Sequence, residues 1–232
     1  MIKTLRKAVL RGIALVALLI LAYQAWLALH IWYWADHNPA TTAFMESRLH
    51  ELQAQNPDAR LAQQWVPYPN ISAQLKRALI VAEDAKFLDH DGFDWEGIQN
   101  AYEKNLKKGR IVAGGSTISQ QLAKNLFLSG SRTPWRKAQE AVITLMLEHI
   151  LSKRRIFEIY LNVIEWGNGV FGAEAAARHY YGVSAANISA PQAAQLAAMV
   201  TNPRYYGGHR SARGLQRKSG IILARMPAAQ VP

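Results

Sequence analysis

Cysteine is absent from the 232 residues. That excludes a disulfide framework, a thiolate nucleophile and a Cys-ligated metal site. A chain without cysteine is safe in any redox compartment, so the compartment must be read elsewhere. Acidic residues are scarce as well: 16 Asp plus Glu stand against 27 Lys plus Arg, a formal net charge of +11. Such a balance suits nucleic acid, an anionic membrane surface or a phosphate-bearing substrate. Strand alternation of any length is missing, and so is any internal repeat. The body is therefore expected to be mainly α. Half of the residues are hydrophobic, enough for one sizeable core with attachments.

No acidic residue precedes Asp36, while Lys3, Arg6, Lys7 and Arg11 open the chain. Gly12 to Trp34 then runs for 23 residues without a formal charge. At about 1.5 Å per residue, a helix of that length crosses a hydrocarbon core of roughly 30 Å. Gln24 and His30 are its only clearly polar side chains. Trp32, Tyr33 and Trp34 gather at its far end, as interfacial aromatics do. A cleaved signal peptide is the alternative. The apolar run is too long for that, and no small-x-small site closes it. The basic flank predicts a cytoplasmic N-terminus, with everything after about Ala35 outside. A body outside the cytoplasm meets no nucleic acid, so the charge points to lipids and phosphates. The expected segments are a basic tail at 1–11, a transmembrane helix at 12–34, a helical neck at 35–64, a main domain at 65–226 and a tail at 227–232.

Helical spacing marks Thr42–Gln55, with Phe44, Met45, Leu49 and Leu52. Two prolines make Trp65 to Asn70 an extended connection. Ser72 opens a helix that delivers Glu83 near its end. Trp95, Ile98, Tyr102 and Leu106 form a stripe on the next helix, which runs into the basic stretch Lys104 to Arg110. Thr117 with Gln120 fits a capping box. Thr133 and Pro134 open a helix to about Leu151, whose expected buried stripe is Val142, Leu145, Met146 and Ile150. Ile156, Ile159, Tyr160 and Val163 mark a further helix. A short one over Glu174 to Tyr181 ends at Gly182. Ser189 and Gln192 open another, stopped by Asn202-Pro203, and a last helix covers Gly214 to Met226.

Chemistry concentrates in four places. Glu83, Asp84, Asp89, His90 and Asp91 crowd a stretch of ten residues. A carboxylate at the edge of an apolar helix is a candidate acid or base; a solvated helix end is the plain alternative. Gly114-Gly115 before Ser116, Thr117 and a helix start offers backbone N–H groups to an anion, with Lys124 about two turns on. The spacing is not that of a P-loop. Arg136 and Glu140 share a helix face, and Glu140 stands in an otherwise uncharged run. Lys153 to Arg155 leads into a segment ending in Gly167, Gly169 and Gly172.

Taken together these stretches resemble the peptidoglycan glycosyltransferases, the transglycosylase domains of class A penicillin-binding proteins and their monofunctional relatives. Glu83, Asp84, Phe87, His90 and Gly92 match the first motif, Gly114 to Asn125 the second, and Arg136, Lys137 and Glu140 the third. Arg155 to Gly172 matches the fourth, with Glu158, Tyr160, Leu161 and Asn162 in register. Gln192 to Pro203 resembles the fifth more loosely: Gln192 stands where the family usually has Glu, so no chemical role attaches to it. The match covers roughly residues 65 to 205. Nothing after it is long enough for a transpeptidase domain, so the monofunctional form is expected.

The resemblance implies a lysozyme-like helical domain with a small jaw lobe, part of it near Lys104 to Val112, behind one transmembrane helix. It implies polymerisation of lipid II at the outer face of the cytoplasmic membrane. The growing glycan on undecaprenyl pyrophosphate is the donor, and configuration inverts to a β-1,4 link. By family position Glu83 is the base and Asp84 its support, while Glu140 is a second carboxylate. Lys124 and Arg132 match positions that contact donor phosphates, with Arg136 and Lys137 adding charge. Ser116, Gln120, Gln121 and Asn125 fit sugar or phosphate hydrogen bonding. No cofactor is required; a Mg or Mn ion fits the pyrophosphate, but no ligand cluster demands one. The membrane and cell-wall synthesis or division proteins are the expected partners. Two other readings remain. A muramidase or lytic transglycosylase also uses one Glu on a helical fold, but it has no pyrophosphate for the cations to meet. A non-catalytic membrane scaffold would not need Glu83.

Overall fold

The computed structural model describes residues 2–110, 114–128, 130 and 133–232. Among them the chain forms eleven α-helices and three very short strands, and the mainly α expectation holds. Helix α1 (Ile2–Tyr33) takes in the basic segment as well as the apolar run. It is long and apolar enough to cross a membrane. At about 1.5 Å per residue its 32 residues reach about 48 Å, well beyond a hydrocarbon core of roughly 30 Å.

The far end of α1 does not float free. Leu27 and Ile31 are fully buried. Trp26 and Trp34 pack on Phe127, with ring centroids 6.3 and 5.2 Å away. Arg155 holds the exit from the helix: its Nε donates to the Trp34 carbonyl at 2.8 Å, and Nη2 reaches the His37 carbonyl and Asn38 Oδ1. Its Nη1 donates to Glu158 at 2.9 Å.

The body follows in order: α2 (Ala43–Gln53), β1 (Ala62–Gln63), α3 (Ala73–Glu83), α4 (Trp95–Lys108), α5 (Ile118–Phe127), α6 (Pro134–Ile150) and α7 (Lys153–Val163). Then come β2 (Glu165–Gly167), β3 (Val170–Phe171), α8 (Ala173–Tyr181), α9 (Ala190–Met199), α10 (Pro203–Gly208) and α11 (Arg213–Arg225). The sheet order is β1-β3-β2, with β1 parallel to β3 and β2 antiparallel to it. Strands of two or three residues carry no alternation, so sequence patterning could not reveal them. The Asn202-Pro203 step expected to stop α9 also opens α10, with Pro203 in its first turn.

Helices α3, α9 and α11 pack together on one side of the core, and α5 packs on α2, α6 and α7. Phe157, Tyr160, Trp166 and Phe171 are fully buried between them. Each such side chain contributes about 1.5–3 kcal/mol by leaving water. Asn162 pins the proline-rich connection: its side chain exchanges two hydrogen bonds with the backbone of Val66.

Two stripes lie otherwise than their spacing suggested. On α6 the inward residues are Glu140, Ile143, Thr144 and Leu147. Val142 and Leu145, expected inside, are exposed together with Trp135. On α4 only Ala101 is buried, and Trp95, Tyr102 and Leu106 face outward. Helical spacing reports an apolar face but not what covers it. Both faces lie on the outside of the body.

Candidate active site

Helix α3 begins at Ser72, whose hydroxyl accepts from the Gln74 N–H at 3.2 Å. It ends by placing Glu83 and Asp84 side by side in different surroundings. The Glu83 carboxylate is 12% exposed. It accepts a 2.9 Å hydrogen bond from Gln121 Nε2. Gln121 Oε1 in turn accepts from the buried Tyr160 hydroxyl at 3.0 Å. Lys218 Nζ stands 4.0 Å from the other Glu83 oxygen. Burial pushes the Glu83 carboxyl above the usual carboxylate range. The Gln121 hydrogen bond, Lys218 and Lys124 pull the other way, and the Asp84 charge adds to the rise. Burial, then the charges of Glu83 and Asp84, hold the Tyr160 phenol well above its ordinary value, so it stays a neutral donor.

Asp84 turns inward and is 2% exposed at its side chain. It accepts from His90 Nε2 at 3.0 Å and from the Ile118 N–H at 3.0 Å. His90 Nδ1 accepts from the Gly92 N–H, which leaves the ring proton on Nε2, facing Asp84. Asp84 thus ties the first motif to the start of α5. The capping box of Thr117 and Gln120 is formed as its spacing predicts. The Thr117 hydroxyl also donates to the Gly92 carbonyl at 2.7 Å.

Helix α5 carries the rest. Gln121, Lys124 and Asn125 line a cavity of about 300 Å³, with Phe44, Thr201 and Arg204 across from them. Glu83, Asp84 and the Gly114 to Thr117 segment line a second cavity of about 180 Å³. The Glu83–Gln121 hydrogen bond lies between the two. Burial lowers the Lys124 pKa; Arg136 and Lys137 lower it further, and Glu140 and Glu83 oppose them. Lys124 therefore lies within the fields of both carboxylates. Glu140 is 3% exposed at its side chain; it accepts from Arg136 Nη1 at 2.6 Å and pairs with Lys137.

The residues singled out in the sequence separate into groups. Glu83, Gln121, Lys124 and Asn125 meet at the cavities, and Ser116 is exposed at the rim of the smaller one. Arg136, Lys137 and Glu140 form an adjoining cluster. Gln120 is buried with its side-chain oxygen committed to the cap. Arg132 lies outside the described residues, as do Ile111 and Val112 of the stretch assigned to the jaw. Among the described residues no three His, Cys, Asp or Glu side chains gather in a way that could hold a metal ion. Sequence reasoning missed Lys218 and Tyr160 as neighbours of Glu83. Lys218 sits on α11, also bonded to the Thr201 hydroxyl, and no local signal marked it.

A carboxylate buried beside two cavities and a cluster of cations, on a helical body, are the groups that glycosyl transfer from a phosphate leaving group would use. The family model described as transglycosylase matches residues 49–227. A biosynthetic peptidoglycan transglycosylase of Methylobacillus flagellatus is 67% identical over 222 residues, covering 96% of this chain and 97% of that one. The protein of the same name from Laribacter hongkongensis is 66% identical over 226 residues, 97% of this chain and 99% of its own. One from a Janthinobacterium strain is 57% identical over 230 residues, 99% of this chain and all of its own. The chain belongs to the transglycosylase family.

Proposed function

We propose that this chain is a peptidoglycan transglycosylase that polymerises lipid II into β-1,4-linked glycan strands and releases undecaprenyl pyrophosphate. It works at the outer face of the cytoplasmic membrane, held by α1 with its N-terminus in the cytoplasm. The observation that carries this reading is the position of Glu83, between two cavities and within the field of Lys124.

The acceptor sugar presents its 4-hydroxyl to Glu83. The carboxylate takes that proton as the oxygen attacks the donor anomeric carbon from the face opposite the pyrophosphate. The bond from that carbon to the pyrophosphate oxygen breaks, and its electron pair leaves with the lipid pyrophosphate. Configuration inverts, as a single displacement with a base requires. A raised pKa brings a carboxylate closer to the operating pH and makes it the stronger base. Lys124, with Arg132, Arg136 and Lys137, meets the charge that develops on the leaving group, where preorganised cations act most strongly. Glu140 braces that cluster. Asp84 acts through structure, holding the Ile118 N–H and His90. Ser116, Gln121 and Asn125 bind sugar or phosphate oxygens.

The test is polymerisation of purified lipid II by the full chain in detergent, with and without Glu83→Gln. Glycan strands from the wild type and a loss of about 10²-fold or more in the variant are expected. Release of fragments from intact sacculi without polymerisation would overturn the reading.

A further inference from the structure

The apolar run of α1 is more than a tether, because the body closes on it from one side. Gln24, inside the uncharged stretch 12–34, exchanges hydrogen bonds with Gln139 of α6 at 3.1 and 3.3 Å. An amide in that stretch needs such a partner, since hydrocarbon offers none. Beside this pair lies a groove of about 450 Å³ between α1 and the body. Its walls are Ile20 and Tyr23 from α1, Phe127 and Leu128 at the end of α5, and Trp135 and Arg136 at the start of α6. The volume is that of an ordinary ligand pocket. Ile20, Tyr23 and Trp135 are 46%, 44% and 73% exposed, so none of the described residues fills it. The exposed Val142 and Leu145 continue the same outer side of α6. Ile20 and Tyr23 belong to the uncharged run, so with α1 across a membrane the groove faces hydrocarbon rather than water.

Its polar end identifies the occupant. Arg136 lines the groove and also pairs with Glu140, in the cluster around Lys124. Among the described residues the Arg136 Nε is buried without a hydrogen-bond partner. Arg136 therefore links the groove to the cation cluster at Lys124, which lines the larger cavity. A ligand that fits both ends has a pyrophosphate head and a long hydrocarbon tail. We infer that the groove between α1 and α6 holds the first part of the polyprenyl tail of the lipid-pyrophosphate donor. The membrane helix is then one wall of the substrate site. This rests on the polymerase reading above and adds to it where the tail lies and which residues sense it.

The experiment uses the full chain in lipid nanodiscs. Polymerisation is measured with lipid II carrying either the full polyprenyl chain or a short prenyl chain. Ile20→Trp fills the groove from an exposed position. Leu21→Trp, 66% exposed and off the groove wall, is the control. The ratio of kcat/KM for long over short chain should fall at least fivefold in Ile20→Trp, through KM for the long chain, and hold in Leu21→Trp. An unchanged ratio in Ile20→Trp overturns the groove. A wild type that polymerises neither substrate overturns the polymerase reading itself, and this one with it. A photo-crosslinking benzoylphenylalanine at Tyr23 supplies a readout independent of turnover. Crosslinking to added polyprenyl pyrophosphate supports the proposal. Crosslinking to bilayer phospholipid alone, undiminished by saturating polyprenyl pyrophosphate, makes the groove a phospholipid site and overturns it.

Discussion

Glu83 and Gln121 lie 38 positions apart in the chain and 2.9 Å apart in the fold. Helix α3 brings one and α5 the other, and Asp84 fastens the two helices by accepting from the Ile118 N–H. The carboxylate is thus held by a neutral amide rather than by a close cation. It keeps a raised pKa and one free oxygen, which Lys218 approaches only to 4.0 Å.

Glu83→Gln should separate activity from stability. Burial makes the folded state hold the Glu83 proton more tightly than the unfolded chain does. Ionising the group therefore costs stability as pH rises from the unfolded pKa through the folded one. The variant should lose about 10²-fold in polymerisation yet melt at the same temperature as wild type or above it at pH 7. That gain should shrink as pH falls through the carboxylate range. A thermal melt at both pH values, beside the lipid II assay, checks it; a large drop in melting temperature at pH 7 contradicts it.

Gln121→Leu removes a hydrogen bond that favours the ionised Glu83, so the Glu83 pKa should rise further. A base must be deprotonated to act, so the acidic limb of the kcat profile should move to higher pH. The Tyr160 hydroxyl loses its acceptor at the same time, at a cost of about 1–3 kcal/mol for a buried donor. pH–rate profiles and urea unfolding of the two proteins test the two halves separately.

Lys124 is an ordinary lysine with its pKa lowered, chiefly by burial and next by Arg136 and Lys137. It loses its charge at lower pH than an exposed lysine. Activity should therefore decline at alkaline pH before the usual lysine range is reached. Lys124→Arg keeps the charge throughout and should remove that decline, at some loss of rate. Lys124→Ala should weaken use of the donor at every pH, and normal donor kinetics in that variant would refute the assigned role.

Glu140→Gln leaves Arg136 and Lys137 without their carboxylate. Hydrogen bonds to charged groups are worth about 1.5–3 kcal/mol, so a loss of that size in denaturant unfolding is expected. Polymerisation should fall too, since the cations lose the brace that fixes them.

Gly92 has φ of +92°, and a Cβ there would meet Thr144 Cγ2 at 2.7 Å. Gly92→Ala should cost about 1–3 kcal/mol from backbone strain alone, and more from the clash. Adding Thr144→Ser removes the offending methyl, so the double variant should recover part of the loss in unfolding experiments.

Helices, caps and the long apolar run were legible because they depend on residues near one another in the chain. The Thr117–Gln120 capping box, Pro134 at a helix start and the stretch 12–34 are of that kind. The direction of the α4 and α6 stripes was not legible. Periodicity shows that Val142, Leu145, Trp95 and Tyr102 share faces with other apolar residues, but what covers a face depends on the rest of the fold. The two-residue strands were too short to carry any pattern.

A mainly helical chain, a single apolar span, the first-motif carboxylates and the cations of α5 and α6 are all written in residue type and local spacing. Packing alone makes Gln121 and not Asp84 touch Glu83, brings Lys218 in from the last helix, and lays α1 against α6 at Gln24 and Gln139. Those contacts join residues 38, 135 and 115 positions apart. No local pattern encodes such pairs; they form when burial of the core brings α3, α5, α11 and α1 together.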